Sequence, residues 1–135
     1  MDKDTRRTID QLFRQAHDQW FVGRTGIAVQ LLEELLRLGE GDEEFIQTEE
    51  YQLAHRNLGT LYHDHHQHWK VPYHIRRAIE LGTRQTSDLY RKLGRSLFIE
   101  GEDEGAVSAL EGALELDSTD EEAHFYLGWC SAPLK

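Results

Sequence analysis

The chain has 135 residues, with 15 Lys and Arg against 25 Asp and Glu, a formal net charge of −10 and 39% hydrophobic residues. Such a length and apolar content suit one domain with its own core and exclude wholesale disorder. The acidic balance excludes a general nucleic-acid binder or a protein held on anionic membranes, because both need a cationic surface. Cys130 is the one cysteine, which excludes an internal disulfide framework and a multi-cysteine zinc site. No stretch approaches the roughly 20 apolar residues of a membrane helix, and no apolar leader follows Met1, so the cytoplasm is the expected location.

Apolar residues recur at helical spacing and strict alternation is absent, so the sequence predicts an all-α chain. The first helical pair covers about residues 8–38, with Gly23 and Gly26 at its turn and Leu31, Leu32, Leu35, Leu36 and Leu38 on its second half. Gly39-Glu40-Gly41-Asp42 closes it, and Asp42 is the expected N-cap of the next helix. Pro72 suits the first turn of a helix running to about Leu81. Ser87 is expected to cap a helix to about Glu100, Gly101 and Gly105 bracket a turn, and Thr119 with Glu122 forms a capping box for the last helix. The reading gives seven helices in hairpin pairs, the last unpaired. Charge is segregated along them: residues 1–50 sum to −6, residues 51–95 to +5, and Ser96 to Leu134 holds ten acidic residues and no Lys or Arg.

Self-comparison reveals a repeat. Tyr90-x-x-Leu93-Gly94 recurs as His124-x-x-Leu127-Gly128 after 34 residues, and as His55-x-x-Leu58-Gly59-x-x-Tyr62 35 residues upstream. In step with it, Ala106-x-x-x-Leu110-x-x-Ala113 matches Val71-x-x-x-Ile75-x-x-Ala78, and Ala28-x-x-x-Leu32-x-x-Leu35 nearer the start. On these residues the chain resembles the tetratricopeptide repeat family, whose 34-residue helix–turn–helix has a small residue where paired helices approach. The resemblance is specific over residues 52–128 and looser before them. It implies a right-handed superhelical stack of about three helix–turn–helix repeats plus a C-terminal capping helix. The expected division of 1–135 is a degenerate first repeat (8–41), an acidic linker or helix extension (42–51), a second repeat (52–86), a third (87–120) and a capping helix (121–135). Val71-Pro72 stands where the family has mid-helix Ala, so that second helix is expected to start late.

In the family, the first helix of each pair lines a concave groove that binds partners. Carrying that phase over places Phe13, His17 and Trp20 in the groove from the first pair, Arg56, Thr60 and His63 from the second, Arg91, Arg95 and Phe98 from the third, and Phe125 and Trp129 from the cap. The resemblance implies a protein or peptide partner, and the arginines suit an acidic segment through their planar forks. Arg91 and Arg95, four apart on one helix face, repel unless an anion sits between them. The alternative is that these arginines pair with Glu49, Glu50, Asp88 or the acidic last third and stitch repeats together. Asn57 and Lys92 lie nearby, but the full Lys/Asn set of a carboxylate clamp does not match.

Tyr62-His63-Asp64-His65-His66-Gln67-His68-Trp69 packs four histidines into six residues. His63 and His66, three apart on a helix, are candidate metal ligands, and the cluster is a candidate source of positive charge in mild acid. No H-E-x-x-H, phosphate loop, dinucleotide fingerprint or nucleophile elbow occurs, so no enzyme, cofactor, nucleic acid or membrane is expected. Cys130 reads as a small core residue. The expected function is an adaptor or chaperone-like interaction module. The competing readings are a metal- or pH-responsive protein, or self-association as a homodimer through Phe125 and Trp129.

Overall fold

The first helix, α1 (Lys3–Phe21), starts where Asp2 accepts a hydrogen bond from the Thr5 amide at 2.7 Å. A polar cap rather than an apolar residue therefore sets its start. The turn after it runs through Gly23, whose φ of +86° is open to glycine without steric cost. In the computed structural model, which describes residues 1–131, α2 (Thr25–Gly39) follows and buries Ala28, Val29, Leu32, Leu35 and Leu36. Each Leu taken fully from water there contributes roughly 1.5–3 kcal/mol.

The link to the second hairpin is ordered. Asp42 accepts from the Phe45 amide at 2.8 Å, at the entry to a 3-10 turn, Phe45–Gln47, and does not cap the next helix. The buried Phe45 ring occupies the space a Cβ on Gly39 would need. Thr48 then caps α3 (Glu49–Asp64), accepting from the Tyr51 amide. After α3, His66 takes a left-handed φ of 61° and a 3-10 turn, His68–Lys70, leads into α4 (Val71–Glu80). Pro72 sits in the first turn, where its missing N–H is not needed. The late start is observed: α6 begins three residues before Ala106, whereas α4 begins at the matching Val71.

Two further caps differ from the expectation. Thr86, not Ser87, caps α5 (Ser87–Ile99) by accepting from the Leu89 amide at 3.2 Å. After α6 (Asp103–Leu116), Asp120, not Thr119, caps α7 (Glu121–Cys130) by accepting from the Ala123 amide at 3.0 Å. Thr119 bonds instead to Asp117. Residues 132–135 of the expected capping segment, Pro133 included, lie outside the described residues.

The described residues thus form the expected all-α stack. α1 packs on α2, α3 on α4 and α5 on α6, and α2–α3, α4–α5 and α6–α7 contacts join successive hairpins. The Leu-Gly signature locks two of them. A Cβ on Gly59 would stand 2.6 Å from Ile75, and one on Gly94 2.6 Å from Leu110, so only glycine lets these helices close. No described helix is long and apolar enough to cross a membrane.

Candidate functional site

Three of the first helices run side by side, α3 against α5 and α5 against α7, so their matching positions form one row. At the α1 end, Phe13 and His17 stack with ring centroids 4.7 Å apart, and Trp20 is half-buried against the core. Phe13 also lines an open recess of about 390 Å³ with Arg6, Asp10, Arg14 and Glu50. Across it, Arg6 pairs with Glu50 at 3.1 Å, tying α1 to α3.

The arginines divide into two kinds. Arg91 is saturated: it reaches Asp120 at 2.9 Å and Glu122 at 3.3 Å, and it also pairs with Asp88. Burial opposes its charge, but the carboxylates more than offset that and its pKa is raised. Asp120 is itself buried, yet the Ala123 amide, the Ser87 hydroxyl at 2.8 Å and Arg91 hold its carboxyl below the usual range. For Arg91 the stitching alternative is the observed arrangement. The expected repulsion with Arg95 is met by the chain's own carboxylates rather than by a free anion site.

Arg95 and Arg56 enter no ion pair among the described residues, and both are half-buried. The Arg95 guanidinium lies 5.8 Å from the Tyr126 ring centroid on α7, and its Nη1 lies 3.4 Å from His63 Nε2 on α3. Its Nε is buried without a hydrogen-bond partner. Phe98 packs on the same Tyr126 ring, with centroids 5.5 Å apart. Phe125 and Trp129, 58% and 56% exposed, stack edge-on beyond it. His63, Arg95 and Phe98 are therefore brought together, with Thr60 half-buried one turn before His63 and Lys92 held by Asp88 at 3.4 Å beside them. Tyr126 is the member the sequence phase missed. It follows Phe125 directly, and α7 is apolar on several sides, so spacing alone did not single it out.

The histidine cluster is not a helical pair. α3 ends at Asp64, so His66 lies beyond it in a left-handed turn and the three-residue helical spacing with His63 does not apply. His63 Nδ1 lies 3.2 Å from Asp64, His65 Nε2 lies 2.7 Å from the Thr25 hydroxyl, and His68 Nδ1 lies 2.9 Å from the Ser96 hydroxyl. No three His, Cys, Asp or Glu side chains among the described residues converge as a metal set. Burial pushes the His63 pKa down against the opposing Asp64 hydrogen bond, with Arg95 and Lys92 adding to the fall, and burial and neighbouring cations do the same to His68. These two therefore resist the mild-acid charging expected of the cluster.

A second pair escaped the sequence reading. His55 and His74 bring their Nδ1 atoms to 2.9 Å between α3 and α4, with Tyr51, Tyr62 and Tyr73 against the rings. Burial pushes both pKa values down to about 4. His74 and Arg77 lower His55 further, while at His74 Glu33 opposes the shift and Lys70 adds to it.

No protein-family model matches the chain, and no curated protein matches it. Solved structures do. An O-GlcNAc transferase mutant from Thermobaculum terrenum aligns over 96% of this chain at 22% identity with a TM-score of 0.62, but over only 23% of its own length. YrrB, described as a tetratricopeptide repeat protein with an unusual peptide-binding site, aligns over 88% of this chain and 56% of its own at 22% identity, with a TM-score of 0.68. The first tetratricopeptide repeat domain of Spaghetti, bound to the HSP90 peptide SRMEEVD, aligns over 93% of this chain and 91% of its own at 17% identity, with a TM-score of 0.67. The chain thus spans about a quarter of the transferase and just over half of YrrB. At these identities the likeness shows the fold: this chain has the tetratricopeptide-repeat architecture.

Proposed function

We propose that the chain is a non-enzymatic interaction module that binds a partner segment along the row of first helices, with an acidic group of that segment received by Arg95. The observation that carries this reading is the state of Arg95. Its guanidinium is half-buried, flanked by His63 and Tyr126, and has no carboxylate among the described residues, while its neighbour Arg91 has three. A cation partly out of water with an unused buried Nε gains most from a carboxylate that arrives with a ligand. Arg56 adds charge on α3, and Phe98, Phe125 and Trp129 offer apolar surface toward α7. Phe13, His17 and Trp20 are the proposed continuation on α1, which the Arg6–Glu50 pair ties to α3. The fold relatives with described peptide sites support the class of partner, and one of those peptides, SRMEEVD, is acidic. The cytoplasm remains the proposed location.

Titration of a panel of acidic peptides, SRMEEVD among them, against the wild type and Arg95→Ala tests the reading. Arg95→Ala is expected to weaken the best binder at least tenfold, and unchanged affinity would sink the Arg95 assignment. Self-association through the exposed Phe125 and Trp129 is the second reading. Sedimentation across a wide concentration range separates the two, because a strict monomer eliminates it.

A further inference from the structure

α7 is built as the first helix of a hairpin whose second helix the described residues do not supply. Its Gly128 stands where Gly59 and Gly94 stand, yet a Cβ there would meet nothing within 4 Å among them, whereas the other two glycines are filled by Ile75 and Leu110. The neighbouring leucines agree: Leu58 and Leu93 are 0% and 5% exposed, while Leu127 is only half-buried. Leu116, which matches the half-buried Leu81, is 49% exposed at the same end.

The segment that builds the α6–α7 side of this slot, Ser96 to Ser131, carries carboxylates and no Lys or Arg of its own. The position of Arg76 on α4 shows which rim residues an incoming helix meets: Arg76 Nη2 lies 3.4 Å from the Cβ position of Gly105, at the start of the next hairpin's second helix. Glu111 matches Arg76 at the 35-residue offset, with Glu115 one turn on; both are exposed and in no ion pair among the described residues. A second copy of α6 or α7 would bring further carboxylates to this rim, so charge disfavours self-pairing. α4 shows the complementary chemistry. It buries Val71, Ile75 and Ala78 and carries Arg76 and Arg77 around them against Glu80, with Lys70 just before its start.

We propose that the open side of α7 docks a basic amphipathic helix of a partner protein, which seats an Ile or Leu over Gly128 and presents Lys or Arg to Glu111 and Glu115. This site uses Leu127, Gly128 and Leu116, not Arg95, so it stands apart from the groove reading. The partner helix completes the hairpin as α4 and α6 complete theirs.

The test uses two labelled peptides on the 135-residue chain, read by fluorescence anisotropy at low and high salt. One has the sequence of residues 68–83 and is basic; the other has that of residues 100–117 and is acidic, although both carry the slot-filling residue. The basic peptide is expected to bind in a salt-sensitive manner, at least tenfold tighter than the acidic one. Gly128→Ala is expected to weaken it at least tenfold without lowering the melting temperature of the free chain, since alanine favours an exposed helix. Gly26→Ala, at a glycine with nothing near it, is expected to change nothing. The proposal is overturned if the basic peptide does not bind, if both peptides bind alike, or if Gly128→Ala leaves binding intact. It is equally overturned if the chain sediments as a dimer that Gly128→Ala dissociates, which makes a second copy the occupant. Binding that requires removal of residues 132–135 overturns it too, by making that segment the occupant.

Discussion

The second and third hairpins close on the same lock and differ in what lies beside it. In both, a glycine of the first helix admits an aliphatic side chain of the second, Ile75 over Gly59 and Leu110 over Gly94. Beside that contact, α3–α4 sets His55 against His74, where the matching residues of α5–α6 are Tyr90 and Ala109. The lock requires shape alone, so a polar pair is tolerated next to it while it remains neutral and hydrogen-bonded. The repeat pattern keeps the helix approach and leaves the adjoining position to set the hairpin's response to pH.

Acid gives the largest break in that symmetry. A histidine held at about 4 in the folded chain against 6.5 when unfolded leaves stability intact above 6.5. As pH falls from 6.5 toward 4 the unfolded chain takes up the proton first and stability is lost, by on the order of 3 kcal/mol for the coupled pair. Urea unfolding at pH 7, 5.5 and 4 should show this loss. His55→Tyr/His74→Ala, which copies the third hairpin, should make the loss shallower, with His63 and His68 keeping a remainder; an equally steep profile in that variant would place the sensitivity elsewhere.

The locks themselves should break alike. Gly59→Ala and Gly94→Ala force Ile75 or Leu110 to move, at about 1–3 kcal/mol from overpacking less about 1 kcal/mol from alanine's helix preference. A fall in urea midpoint for both variants is expected, and a rise in either would show that the close approach is not required.

The arginines sharpen the comparison within α5. Arg91→Ala strands the carboxylate of Asp120, 8% exposed overall, and should cost about 1–2 kcal/mol, since Ser87 and the Ala123 amide remain. Arg95→Ala removes no ion pair and should leave thermal stability nearly unchanged. The caps give the smallest effect. Thr86→Ala and Thr48→Ala should each lower stability by about 1 kcal/mol, measurable as a small shift in melting temperature.

Range decides which features the sequence discloses and which it hides. The Leu-Gly signatures, the alanines and Pro72 act within one hairpin, so spacing suffices to place seven helices and the late start of α4. The caps of α5 and α7 went to Thr86 and Asp120 because neighbouring Ser, Thr and Asp are all competent. Asp120 was selected by reaching Ser87 and Arg91 from the far end of the third hairpin. The same contact divided Arg91 from Arg95, which periodicity treats as equivalent. His55 occupies a repeat position where Tyr90 and His124 also occur, so nothing local announced that His74 would meet it.

Phe45 gives the long first link a mechanical consequence. Repeat arrays open from their ends, each unit held only by its neighbour, and a slack connection would let the first hairpin come away alone. With its ring wedged on Gly39, edge-on to Tyr51 at 5.8 Å and beneath the Arg6 guanidinium at 5.1 Å, Phe45 makes the link part of the interface. Opening α1–α2 must therefore draw this ring out from between two hairpins. Amide hydrogen exchange in α2 should accordingly keep step with α3, and Phe45→Ala should uncouple them, turning one cooperative unit into two.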